Sequence, residues 1–275
     1  AGLPEGVAQV VKGDGATGAA LVEGGVDKIH FTGSVATGRK IAEACGRQLV
    51  PCTLELGGKD AMIVCADADL DAAAGGAVAG SMFNTGQYCC GTERVYVHES
   101  VAEAFTEKVV ARVDALRQGP SDADVGPMCW DRQLDKVIEQ VDRAVAAGAN
   151  VLAGGRRNPD LPDGLYFEPT VLTDLSDDMA VMVDETFGPV LPIVTFNSVD
   201  EAVERANDQQ VGFVYLDQEN GADLELIALD ILASLEGSDS SYDSLIVLDA
   251  SGVFVVSNSN AAAGPAADAA TPEFA

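Results

Sequence analysis

Apolar positions along the chain alternate between two spacings. Short apolar-rich runs at residues 7–11, 27–33 and 51–58 read as strands, and residues 15–25 and 38–49 between them carry the wider spacing of helices. This alternation predicts parallel β-α-β units in an α/β protein. Residues 59–65 then read as a strand and 67–83 as a helix, opened by Asp67 or Asp69 as N-cap and ended near Asn84 and Gly86. A strand over 93–98 follows, then helices over 101–117 and 131–148, the second ending at Gly148. Strands at 149–155, 165–172 and 189–196 and a helix at 198–208 complete the patterned part.

Beyond Gly212 the character changes: no Lys or Arg occurs from Phe213 to Ala275, and residues 257–275 are turn-rich and low in complexity, which predicts disorder at that end. Between them, 224–235 suits a short helix and 244–257 a hairpin, neither with a recognisable partner.

Composition narrows the function classes. With 275 residues, 47% of them hydrophobic, the chain can build real cores. No run of eighteen apolar residues occurs, and residues 1–15 lack a basic segment followed by an apolar one, so a cytoplasmic protein is expected. Forty-four acidic against 16 basic residues give a net charge of −28, which repels nucleic acid and anionic membranes and suits a high-salt cytoplasm. The six cysteines have no disulfide or zinc spacing, so no metal is implied.

Four segments suggest chemistry. In residues 31–40, Gly33, Ser34 and Gly38 form a turn between strand and helix, which presents N–H groups to a phosphate or is simply a glycine turn. Lys40 and Ile41 are misplaced for a P-loop. Glu55 ends an apolar strand before Gly57 and Gly58, as a partly desolvated base or a solvated strand end. Cys89 and Cys90 follow a Gly86-Gln87 turn, where a thiolate can meet a carbonyl carbon or an inert thiol can pack. Glu185 precedes Phe187 and a Gly-Pro turn; alone it is an acidic loop edge.

In this order the four segments resemble the aldehyde dehydrogenase superfamily, over Ala1 to about Gly212. Its glutamate motif is similar to Leu54-Glu55-Leu56-Gly57-Gly58-Lys59, and its cysteine motif to Phe83 with Gly86-Gln87-Tyr88-Cys89. The resemblance implies a partial Rossmann-like cofactor-binding domain over 1–57, an α/β catalytic domain over 58–212 and a divergent acidic tail over 213–275. It implies Cys89 as the nucleophile that forms a thiohemiacetal and then a thioester, and Glu55 as the base that activates the hydrolytic water, hence an acid-forming, non-acylating enzyme. Cys90 is assigned to packing at the pocket wall. Gly33, Ser34 and Gly38 would lie at the pyrophosphate of NAD or NADP, Glu185 at the nicotinamide ribose and Phe187 near the ring.

The substrate would be a small-molecule aldehyde. Homo-oligomers are usual in that family, although its pairing elements are not recognisable here. The family's Pro-Trp-Asn-Phe type segment, source of an oxyanion-hole amide, lies upstream of anything like residues 1–7, so an incomplete copy is expected. Loss of one such donor costs on the order of 2.7–4 kcal/mol. The alternative is a catalytically impaired fragment kept as a binding or scaffold remnant. A Cys-His thiol hydrolase is a third reading, with only His30 and His98 available.

Overall fold

A computed structural model of the chain describes residues 2, 4–207, 246–248 and 253–256. The predicted helix at 224–235 and the low-complexity end at 257–275 lie outside the described residues.

Two sheets organise the described residues, joined through residues 57–60. In the first, β1 (Ile29–Gly33) and β2 (Cys52–Leu56) pair in parallel, with Thr32 opposite Glu55. Helix α1 (Gly15–Glu23) is capped by the Asp14 side chain, which accepts from the N–H groups of Ala16 and Thr17. Helix α2 (Val35–Gln48) starts three residues earlier than its apolar spacing predicts, because Ser34 serves as its N-cap and accepts from Thr37 N–H. Cys45 on α2 and Cys52, Leu54 and Leu56 on β2 form the small core between them.

Residues 7–11 do not form the predicted strand. Val7, Val10 and Val11 are exposed, with no described strand beside them to pair with. β propensity is realised only where a neighbouring strand takes up the backbone groups.

The second sheet contains β3 (Ala61–Val64), β4 (Arg94–His98), β5 (Asn150–Ala153), β6 (Thr170–Thr173), β7 (Val190–Phe196), β8 (Ile246–Leu248) and β9 (Val253–Val256). Their spatial order is β5-β6-β7-β4-β3-β9-β8. The five inner strands are parallel and the two outer pairings antiparallel. The hairpin expected over 244–257 is therefore present, and its second strand has a partner the sequence does not announce, β3.

Helices cover both faces of this sheet, as near-continuously apolar parallel strands require. Ala61, Ile63 and Tyr96 point to one face, where they pack with Leu134, Val137 and Val141 of α5 (Asp131–Ala146) and Val181 and Met182 of α6 (Ala180–Val183). Met62, Val64, Val95 and Val97 point to the other, against Ala73, Ala74 and Ala77 of α3 (Leu70–Met82) and Phe105 and Val109 of α4 (Ala102–Asp114). Successive strand residues thus serve opposite cores. Asp69, not Asp67, caps α3, accepting from the N–H groups of Asp71 and Ala72. Helix α7 (Val199–Asn207) ends the continuous part. No helix among the described residues is long and apolar enough to cross a membrane.

Candidate active site

The turn that carries Cys89 is unusual in its backbone. After α3, a short 3-10 turn over Phe83–Gly86 holds three successive residues in the left-handed region, Asn84 (φ 48°), Thr85 (φ 62°) and Gly86 (φ 69°). Two of these are not glycine, so side-chain bonds must hold them there. Asn84 donates to Gln87 O at 2.9 Å, and Thr85 Oγ1 donates to Gly126 O at 3.2 Å. The buried Gln87 is fixed at both ends of its amide: Nε2 donates to Asn84 O and Oε1 accepts from Cys129 N–H at 2.8 Å. A methyl at Gly86 would overlap Gly188 O, so this glycine is set by close approach as well as by φ.

The chain then turns outward. Cys89 and Cys90 are exposed, with their sulfurs 3.6 Å apart, and Tyr88 OH anchors the turn on Gly80 O. Cys90 therefore does not pack into a wall as expected. Two adjacent residues on so tight a turn both reach solvent.

Glu55 is half-buried in β2, and the glycine after Leu56 has a specific reason. A Cβ on Gly57 would overlap the Glu185 carboxylate, so the segment after Glu55 and the acidic loop lie in direct contact. Glu185 itself is half-buried; burial, reinforced by the nearby charge of Glu93, holds its carboxyl above the usual range. Phe187 is half-buried with φ 52°. Contacts thus bring together three sequence-predicted segments: the Glu55 strand end with the Glu185 loop through Gly57, and the Cys89 turn with the same loop through Gly86 and Gly188.

Gly33 and Ser34 lie exposed at the N-terminus of α2, a helix whose first turn contains no acidic residue. In so acidic a chain that leaves the helix dipole open to an anion, which fits a phosphate. Gly38 lies elsewhere. It sits inside α2, buried against Leu56, where a Cβ would come within 2.5 Å of Leu56 Cδ2, so it serves the contact of helix with strand.

Several residues that organise the site escaped the sequence reading. Lys59, Asp60, Glu93 and Arg94 are all buried. Lys59 Nζ donates to Glu93 Oε2 at 2.5 Å and to Thr186 Oγ1 at 2.8 Å. Burial pulls the Lys59 ammonium down from its usual pKa, against the opposing pull of Glu93. Arg94 donates to Lys59 O, Tyr96 OH and Ala206 O, tying β4 to the end of α7. Asp60 Oδ2 is buried without a hydrogen-bond partner among the described residues, and burial, with the charge of Glu93, pushes that carboxyl up to about 7. Two adjacent charges at the head of the apolar strand 93–98 were the available signal.

The histidines stand apart. His30 is exposed on β1, and His98 bonds Ser100 Oγ at 2.8 Å at the far end of β4, about 13 Å of extended strand from Arg94. Among the described residues neither histidine bonds Cys89, so the thiol-hydrolase reading finds no dyad there.

The geometry defines an α/β protein in which the turn before an exposed cysteine and the strand end after a half-buried glutamate both touch one loop, Glu185–Gly188. The chain belongs to the aldehyde dehydrogenase family, whose model matches residues 1–214. Solved structures agree. One is an aldehyde dehydrogenase of Bacillus cereus in complex with NAD+ (38% identity, TM-score 0.68, covering 71% of this chain and 40% of that one). Another is a double mutant of betaine aldehyde dehydrogenase from Staphylococcus aureus, also with NAD+ (34%, TM-score 0.73, 77% and 44%). A third is an NADP-dependent enzyme of E. coli (35%, TM-score 0.70, 74% and 43%). The chain thus spans less than half the length of these structures.

Proposed function

We propose that the chain supplies the catalytic centre of an NAD(P)-dependent oxidation of aldehydes to carboxylic acids. The observation that carries this reading is the convergence of the Cys89 turn and the Glu55 strand end on one loop, Glu185–Gly188.

Cys89, exposed on a turn fixed from behind by Gln87, is the nucleophile. Its thiolate adds to the aldehyde carbon, forming a C–S bond and a thiohemiacetal. Oxidation of that adduct to a thioester on Cys89 would use the hydride acceptor that a bound dinucleotide supplies. Glu55 then takes a proton from water, the resulting hydroxide adds to the thioester carbonyl, and the C–S bond breaks to release the acid and the thiolate. Gly33 and Ser34 would hold the pyrophosphate at the start of α2. Glu185 would accept from the nicotinamide ribose hydroxyls, and Phe187 would pack near the ring. Both NAD and NADP relatives exist, and the cofactor preference of this chain follows neither by identity. A Glu55 base favours hydrolysis over acyl transfer.

The test is aldehyde-dependent NAD(P)H absorbance with the purified protein. Loss of the signal in Cys89→Ser, with Cys90→Ser still active, supports the assignment. The competing reading, a fold retained as a scaffold without chemistry, expects no absorbance change from either protein.

A further inference from the structure

We propose that Glu93, charge-paired with Lys59, is the positioning residue that sets the Glu185–Phe187 loop for cofactor binding and locks it to the nucleophile turn. The proposal rests on the functional reading above for the role of that loop.

Glu93 is 7% exposed and sits four residues beyond Cys89. Its carboxylate does more than meet a lysine. Oε2 accepts from Lys59 Nζ at 2.5 Å and from Thr186 N–H at 2.7 Å, while Oε1 accepts from Phe187 N–H at 2.8 Å. Two successive backbone N–H groups converge on one carboxylate, an arrangement that suits an anion. Lys59 adds a bond to Thr186 Oγ1. The carbonyls of the same two residues are taken by Gln133 Nε2 from α5, at 2.7 Å to Thr186 and 3.2 Å to Phe187. The loop backbone is thus gripped on its donor side by Glu93 and on its acceptor side by Gln133, which accounts for Phe187 remaining in the left-handed region.

Glu93 also faces the Glu55 segment. Its own N–H and that of Arg94 both donate to Asp60 O at 3.0 Å, just past Gly57 and Gly58. Glu93, through its backbone and its side chain together, therefore links the strand that follows the nucleophile turn to the base-bearing segment and to the loop. Stability alone does not require a buried ion pair there, because a well-packed apolar pair is often as good or better. An apolar pair cannot accept two N–H groups.

Three proteins test this: the parent, Glu93→Gln, and the double variant Lys59→Met with Glu93→Leu, which removes both members of the buried ion pair. Backbone hydrogen exchange needs no cofactor. Faster exchange at Thr186 and Phe187 is expected in both variants, with β4 and β7 still protected. Dissociation constants for NAD and NADP, by equilibrium dialysis, should rise at least about tenfold. Where turnover is measured, the rise should fall on the cofactor KM and not the aldehyde KM, with sites counted by alkylation of Cys89. A double variant with parental loop exchange and parental cofactor affinity overturns the proposal, as does general loosening of β4 and β7 in both variants. Failure of the parent to bind either dinucleotide defeats the functional reading, and the cofactor role of Glu93 with it. Loop exchange then still decides whether Glu93 holds the loop.

Discussion

The carboxylate of Glu185 rests against the backbone of Gly57, where no side chain fits. This contact links two segments 128 positions apart and gives the glycine a role that local turn geometry does not require. The alanine variant Gly57→Ala must push Glu185 aside. Overpacking of this kind costs roughly 1–3 kcal/mol of stability. If Glu185 holds the cofactor ribose, the KM for NAD(P) rises well beyond that for the aldehyde, while alkylation of Cys89 proceeds at the parental rate. Equal changes in both KM values would speak against a cofactor role for Glu185.

Gly86 is constrained twice, by φ 69° and by the approach of Gly188 O. Adding a methyl in the left-handed region and against a backbone oxygen should cost about 2–4 kcal/mol in total. Gly46, on α2 with open space around its Cβ position, is the control. Gly46→Ala should be neutral or slightly stabilising by helix propensity. Urea unfolding of the two variants, compared at one pH, measures the difference.

Much of the layout was legible. The apolar runs located the inner strands because strands buried on both faces read as continuous apolar segments, and motif order drew attention to Cys89, Glu55 and Glu185. The valines at 7–11 misled because strand propensity carries no information about whether a neighbour exists. Glu93 and Lys59 were missed for a different reason. Charged residues at a strand head usually face water, and only the three-dimensional return of the loop at Thr186 turns them into a buried pair. Gly38 carried a phosphate expectation, yet its contact with Leu56 reflects packing that no local spacing reveals.

Salt should stabilise this protein. Forty-four acidic side chains face 16 basic ones, so repulsion outweighs attraction over the surface. Most described ion pairs, such as Arg47–Glu43 and Arg117–Asp124, are exposed, and screening them costs little. The screening length falls from about 10 Å at 0.1 M salt to about 3 Å at 1 M, which removes most of the repulsion. The thermal midpoint is expected to climb as KCl increases through this range. A flat or falling curve would show that self-repulsion does not limit stability.

Asp60 should make stability depend on pH. Its carboxyl is pushed up to about 7 in the folded protein by burial and then by the charge of Glu93, from an ordinary value of 3.8. Between those values the folded chain keeps a proton that the unfolded chain releases. Stability from this group is therefore fully present below about pH 4, declines as pH rises, and is lost once pH passes about 7. The asparagine variant cannot ionise and escapes this decline. At 1.36 kcal/mol per pKa unit, Asp60→Asn should gain up to about 4 kcal/mol over the parent at pH 8, with a smaller gain at pH 5. Glu185 is raised by the same kind of burial, so the parent's own pH curve mixes the two groups; the difference between parent and variant isolates Asp60. Urea unfolding at pH 5 and pH 8 supplies that difference. If the gap between the two proteins is the same at both pH values, Asp60 is not the group that titrates.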